Sequence, residues 1–164
     1  MADILLFLIA AVLHECGHII MAGVLGVKLV TLRLRGIGAV MQFDFSSCCY
    51  LCEAAVHFAG ALMNILSSCL AVIMWGSSAY YFCGISLTLA FVNLLPIRGF
   101  DGGGIVCCTI ARFLMPDIAW RICSILSLIG IITLWTAVLW IELRCGGNLT
   151  LIIFALCIII GQLK

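Results

Sequence analysis

The chain has 164 residues, of which 66% are hydrophobic and only 9% charged, and its mean hydropathy is +1.36. Soluble domains run near 25% charged and 45–50% apolar, and a soluble domain this small could not hide so much apolar surface. Composition therefore excludes an ordinary soluble domain, a disordered tail and a nucleic-acid binder, and the expectation is an all-α polytopic protein solvated by lipid, forming one domain over 1–164.

Charge placement sharpens this. No Asp, Glu, Lys or Arg interrupts the 44 residues between Glu53 and Arg98, the 20 between Arg121 and Glu142, or the 19 between Arg144 and Lys164. Each stretch is long enough for a helix across a hydrocarbon core of about 30 Å, and the first is long enough for two. The apolar N-terminal stretch does not read as a removable signal sequence, because it carries Asp3 and no basic residue at its start and contains His14 and Glu15.

In chain order, a first helix is expected over about 4–25. Thr31, Arg33 and Arg35 then alternate with Leu32 and Leu34, the period of a strand, and Gly36 and Gly38 precede a second short strand over 39–45. The two read as a small β-hairpin. Helix two is expected over 51–75, a tight turn at Gly76-Ser77-Ser78, and helix three over 80–95, ending at Pro96. A glycine-rich irregular or re-entrant segment follows over 96–104, then a short helix over 105–115, helix four over 119–141 and helix five over 149–161, giving about five transmembrane helices. With that count, Lys28, Arg33, Arg35, Arg98, Arg112, Arg121 and Lys164 fall on one side and only Arg144 on the other. The positive-inside rule then places the chain in the cell membrane with its N-terminus outside. The eleven cysteines show no paired CxxC pattern of a zinc ribbon; Cys48, Cys49 and Cys52 form the one cluster, and the set reads as small buried hydrophobes in a reducing setting.

The chemistry lies in the first helix. His14-Glu15-Cys16-Gly17-His18 is an H-E-x-x-H motif inside an apolar helix. The i, i+4 spacing stacks both imidazoles on one helical face, where two neutral nitrogens can hold one Zn²⁺. Glu15 stands beside them, placed to take a proton from water. Ionisable residues inside a membrane helix are expensive and usually line a site. At least one further ligand is needed, with a position open to water. Asp3, Asp44, Glu53, Asp117 and Glu142 lie at the wrong place along a helix or near membrane edges. Asp101 stands apart, after helix three in Asn93-Leu94-Leu95-Pro96-Ile97-Arg98-Gly99-Phe100-Asp101-Gly102-Gly103. A segment re-entering from the side of the basic residues can bring it to the depth of His14 and His18, with Gly102 to Gly104 permitting close backbone approach.

HECGH in the first helix together with NLLPIRGFDGG after a later one resembles the site-2 protease family of intramembrane zinc metalloproteases, and the compact form is similar to its stage IV sporulation FB-type branch. The resemblance covers about 4–105. It implies one zinc per chain held by His14, His18 and Asp101, with Glu15 as general base. Asn93 matches the asparagine that holds substrate or stabilises the oxyanion. Gly60-Ala61-Leu62-Met63-Asn64 is similar to the family's G-P-x-x-N segment, which packs near the catalytic helix. The sequence departs from the family at Ala61, where proline is usual, at Arg98-Gly99, where many members are proline-rich, and in beginning directly at the catalytic helix. No PDZ or CBS module fits in this length. The implied partner is a membrane-anchored protein substrate: a transcription-factor precursor, an anti-sigma factor or a remnant signal peptide, with a membrane regulator left open.

Asn64, near the middle of helix two, reads as an interhelical hydrogen-bonding residue, with contact to the site or substrate as the alternative. His57 reads as a structural or surface histidine rather than a third nitrogen ligand. The expected reaction is peptide-bond hydrolysis near the membrane, with the active site opening toward the cytoplasm and the hairpin edge holding an unwound substrate segment by strand addition. A zinc-binding membrane transporter is the first rival, but it leaves Glu15 without a distinctive role. A catalytically idle scaffold is the second, and the intact set His14, Glu15, His18 and Asp101 argues against it.

Overall fold

The computed structural model describes residues 2–35, 38–145 and 156. Its elements are α1 (Ala2–Val24), β1 (Lys28–Arg35), β2 (Gly38–Asp44), α2 (Tyr50–Trp75), a 3₁₀ turn (Gly76–Ala79), α3 (Tyr80–Asn93), α4 (Asp101–Ala111) and α5 (Pro116–Cys145). Three apolar helical stretches among these residues are long enough to cross a membrane: Asp3–Val24, Tyr50–Asn93 and Pro116–Arg144. The chain is thus a multi-pass α-helical membrane protein that carries a small antiparallel hairpin after its first helix. The helix expected over 149–161 lies outside the described residues.

The helices are apolar outside and small or polar inside, the reverse of a soluble bundle. On α1, Ile4, Leu8, Val12, Ile20 and Val24 are exposed, whereas Ala10, His14, His18 and Ala22, four residues apart, are buried. On α2 the buried side is Val56, Ala59, Gly60, Ala61, Asn64, Ser68 and Ala71. Lipid is as apolar as leucine, so helices in it associate through close packing of small residues and through hydrogen bonds. The α1–α2 contact shows this directly: a Cβ on Gly17 would collide with the Ala59 carbonyl. Hydroxyl groups hold α3 to the same seam. Ser68 Oγ–H donates to the Asn64 main-chain carbonyl at 2.8 Å, and Ser86 Oγ–H of α3 reaches the same oxygen at 3.2 Å.

The hairpin pairs Lys28 with Asp44 and Arg35 with Gly38, with one irregularity between Leu29 and Thr31. Thr31 Oγ1–H donates to Gln42 Oε1 at 2.8 Å across the strands. Phe43, Phe45 and Cys48 pack on a small core of Ala22, Val27 and Val56, which seats the hairpin on the ends of α1 and α2.

Two boundaries differ from expectation in ways that matter to the site. The irregular segment is shorter than 96–104, because α4 begins at Asp101 rather than at 105. Phe100 is extended, and Asp101 occupies the first turn, where a carboxylate is favoured by the helix dipole. The glycines do allow close approach: a Cβ on Gly102 or Gly103 would collide with the carbonyls of Leu94 and Ile97. Helix α5 begins earlier than 119, since Pro116 suits a first helical position, its missing N–H costing no hydrogen bond there.

Helix α5 holds the segment between α3 and α4 in place. Ile97 is fully buried. The Arg98 main-chain N–H donates to Ser127 Oγ at 2.9 Å, and its Nη1–H donates to Ser124 Oγ at 3.1 Å. The guanidinium lies 3.7 Å from the centre of the Trp120 ring, a cation–π contact. Arg98, where the resembled family is often proline-rich, is therefore an anchor.

Candidate metal centre

His14 and His18 project from the buried face of α1, at 4% and 7% exposure. Asp101 arrives from 87 residues away at the start of α4. Its Oδ2 lies 2.9 Å from His14 Nε2 and 3.3 Å from His18 Nε2. The ligand atoms of these three residues all lie within 4.8 Å of one another, close enough to hold one metal ion; among the described residues no other such group of His, Cys, Asp or Glu occurs. The cysteine cluster does not form one, although Cys49 and Cys52 Sγ atoms are 3.1 Å apart. Nine of the cysteines, from Cys16 to Cys123, are free thiols, and of these Cys83, Cys108 and Cys123 are buried, so the expected burial holds for part of the set.

Gly60 makes room for the site. A Cβ there would collide with the His18 ring and meet His14 Nε2 at 2.7 Å. No side chain larger than hydrogen fits between α2 and the paired imidazoles, which stand edge to face with centroids 4.8 Å apart.

The groups behind the histidines fit a metal. His18 Nδ1–H donates to the Val56 carbonyl at 2.7 Å, which leaves Nε2, the atom facing Asp101, with its lone pair free. The outward nitrogen of His14 is Nδ1, 3.4 Å from the side-chain amide nitrogen of Asn64, while Asn64 Oδ1 is buried with no partner. With the amide O and N exchanged, which changes the shape little, Oδ1 accepts His14 Nδ1–H and His14 Nε2 keeps its lone pair. Two neutral imidazoles with inward Nε2 atoms, plus one carboxylate, make a three-ligand set that leaves a zinc coordination position open.

Glu15 lines a cavity of about 350 Å³ together with His14, His18 and Asp101. Asn93, the last residue of α3, also faces it, with its side-chain nitrogen 3.3 Å from His14 Nε2. Met41, Phe43 and Phe45, alternate residues running out of β2, form another wall. The structure thus brings His14, Glu15, His18, Asn93 and Asp101 to one cavity and sets Asn64 directly behind it.

Sequence alone leaves His57 as a structural or surface histidine, and the structure brings it to the site. It lines the same cavity, and its Nδ1 lies 3.2 Å from Asp101 Oδ1. A single histidine carries no spacing signal. The only clue available was its position seven residues before Asn64, two helical turns away on the same face of α2.

No family model matches the chain, and no curated protein matches it. Among solved structures it is similar to the "Site-2 Protease from Methanocaldococcus jannaschii", with a TM-score of 0.70 and 25% sequence identity over 94% of this chain and 72% of that one. That likeness, distant in sequence and extensive in fold, supports assignment at the level of the site-2 protease family.

Proposed function

We propose that this protein is a zinc-dependent endopeptidase of the site-2 type, which cleaves a membrane-anchored protein in or beside its transmembrane segment. The observation that carries this reading is the convergence of Asp101 on His14 and His18 within an apolar membrane-length helix, with Glu15 in the same cavity. The ligands are His14, His18 and Asp101, holding one zinc per chain. Such an ion would polarise the scissile carbonyl and acidify water.

The chain's own groups supply the rest. Glu15 takes the proton of the attacking water and delivers it to the leaving amine. Asn93, at the mouth of the ligand set, donates its amide N–H to the oxyanion that develops at the scissile carbonyl. Asn64 acts from behind as the acceptor that orients His14. A helical substrate must unwind before attack, because its amides are held in internal hydrogen bonds. The edge of β2 away from β1, unpaired among the described residues and beside the cavity wall of Met41 and Phe43, suits an extended segment added as a further strand.

The basic residues of the hairpin and of the Arg98–Arg121 region favour the cytoplasmic side for the cavity mouth, with the N-terminus outside. The pairing of HECGH with a downstream FDGG, without an inserted soluble domain between them, favours the compact stage IV sporulation FB-type branch. A transcription-factor precursor, an anti-sigma factor or a remnant signal peptide are the substrate classes this implies, and a membrane regulator is compatible with it.

Elemental analysis of purified, unchelated protein tests the reading. One zinc per chain is expected, lost or weakened in Asp101→Ala together with cleavage of a membrane-anchored substrate. Active wild-type protein without zinc would overturn it.

A further inference from the structure

We propose that His57 is a positioning residue of the metal centre: it donates Nδ1–H to Asp101 Oδ1 and so keeps Oδ2 turned toward His14 and His18. This rests on the metal reading above and extends it to a residue outside the ligand motif.

The two carboxylate oxygens of Asp101 have different neighbours. Oδ2 faces His14 Nε2 at 2.9 Å and His18 Nε2 at 3.3 Å, whereas Oδ1 faces His57 Nδ1 at 3.2 Å. His57 is therefore directed at the oxygen that looks away from the ligand pair, the position of an orienting partner rather than a fourth ligand. The ring is held from two sides. A Cβ on Gly104, three residues after Asp101 on α4, would meet its Cδ2 and Nε2 at 2.6 Å, so α4 has no side chain where the ring lies. Phe45, just past the end of β2, packs at a centroid distance of 6.5 Å.

His57 also completes a pattern. His18 is oriented by the Val56 carbonyl, His14 by Asn64 and Asp101 by His57. All three partners stand on α2, which itself contributes no ligand. Outer-shell hydrogen bonds of this kind fix ligand orientation, and their loss costs roughly 10–100-fold in metal affinity. For Asp101 the bond has a second consequence. A carboxylate with an unheld second oxygen can rotate or bind a metal through both oxygens, closing the position that water requires.

The test is the zinc dissociation constant of the full-length, detergent-solubilised protein, measured by competition with a chromogenic chelator. His57→Leu removes the donor at similar volume, and His57→Asn replaces it, since the Asn amide nitrogen sits at nearly the place of Nδ1. His57→Leu should bind zinc about 10–100-fold more weakly than wild type, and His57→Asn should recover most of that loss. Unchanged affinity in His57→Leu, or an equal loss in His57→Asn, would overturn the proposal while leaving the ligand set standing. Wild-type protein that binds no zinc would overturn the metal reading and this inference together. If His57→Leu does not fold, Gly104→Ala gives the same answer by pushing the ring away with the imidazole retained. Weakened zinc binding there supports the proposal, and unchanged binding overturns it.

Discussion

The two halves of the metal centre reach it by different routes. His14 and His18 are neighbours on one helical face, and any α-helix carrying that sequence stacks them. Asp101 lies 87 residues beyond His14 and comes within 2.9 Å of it only because α2, α4 and α5 pack as they do. The histidine half is a local property needing clearance, which Gly60 provides. The aspartate half is a tertiary property needing anchorage, which Arg98, Ser124, Ser127 and Trp120 provide. A site divided this way should fail abruptly when the local half is struck and by degrees when the anchorage is loosened.

The largest effect is expected from His14→Ala. It removes a ligand outright, so bound zinc and cleavage should disappear together, as read by elemental analysis and a substrate assay on one sample. Next is Gly60→Val, which places carbon where both imidazoles lie. Zinc content should fall to a small fraction of wild type while circular dichroism remains helical; full zinc occupancy would mean that α2 yields easily and that the close approach at Gly60 is not needed.

Asn93→Ala removes neither a ligand nor part of the anchorage, only the amide beside His14 Nε2. Zinc should stay bound, and the rate should drop by the equivalent of about 2–4 kcal/mol, the usual cost of removing an oxyanion donor. Equal kcat for Asn93→Ala and wild type would return Asn93 to a simple helix-ending role. The smallest effect belongs to Arg98→Ala, which removes one side-chain hydrogen bond and the contact with Trp120 but leaves the main-chain bond to Ser127. A loss of about 1–2 kcal/mol is expected, close to tenfold in zinc affinity. A loss as large as that of His14→Ala would show that the aspartate half is no more tolerant than the histidine half.

The same division governs what could be read in the sequence. The histidine pair, the hairpin and the long apolar helices follow from periodicities of 3.6 and 2 and from runs without charge, all local signals. Asp101 is singled out in the sequence only by the unsuitability of the other acids and by the resemblance, because no local pattern says which distant residue packs against α1. The start of α4 at Asp101 is not legible: three consecutive glycines read as a break, yet they continue a helix whose close neighbours are the Leu94 and Ile97 carbonyls. Arg98 stands out in sequence only as a departure from a family pattern, and its anchoring role depends on the positions of Ser124 and Trp120 one turn apart on α5. The place of His57 at the site is hidden for the same reason, since its partner lies 44 residues away.

The proposed mechanism makes Glu15 the proton carrier at a site whose metal is held by other residues. Glu15→Gln keeps the shape, both histidines and Asp101, so it separates proton transfer from metal binding. Zinc content and cleavage of a detergent-solubilised membrane substrate should be measured on the same purified Glu15→Gln sample beside wild type. Zinc should be unchanged and cleavage reduced on the order of 100-fold or more; near-normal cleavage by the zinc-loaded variant would rule out Glu15 as the base.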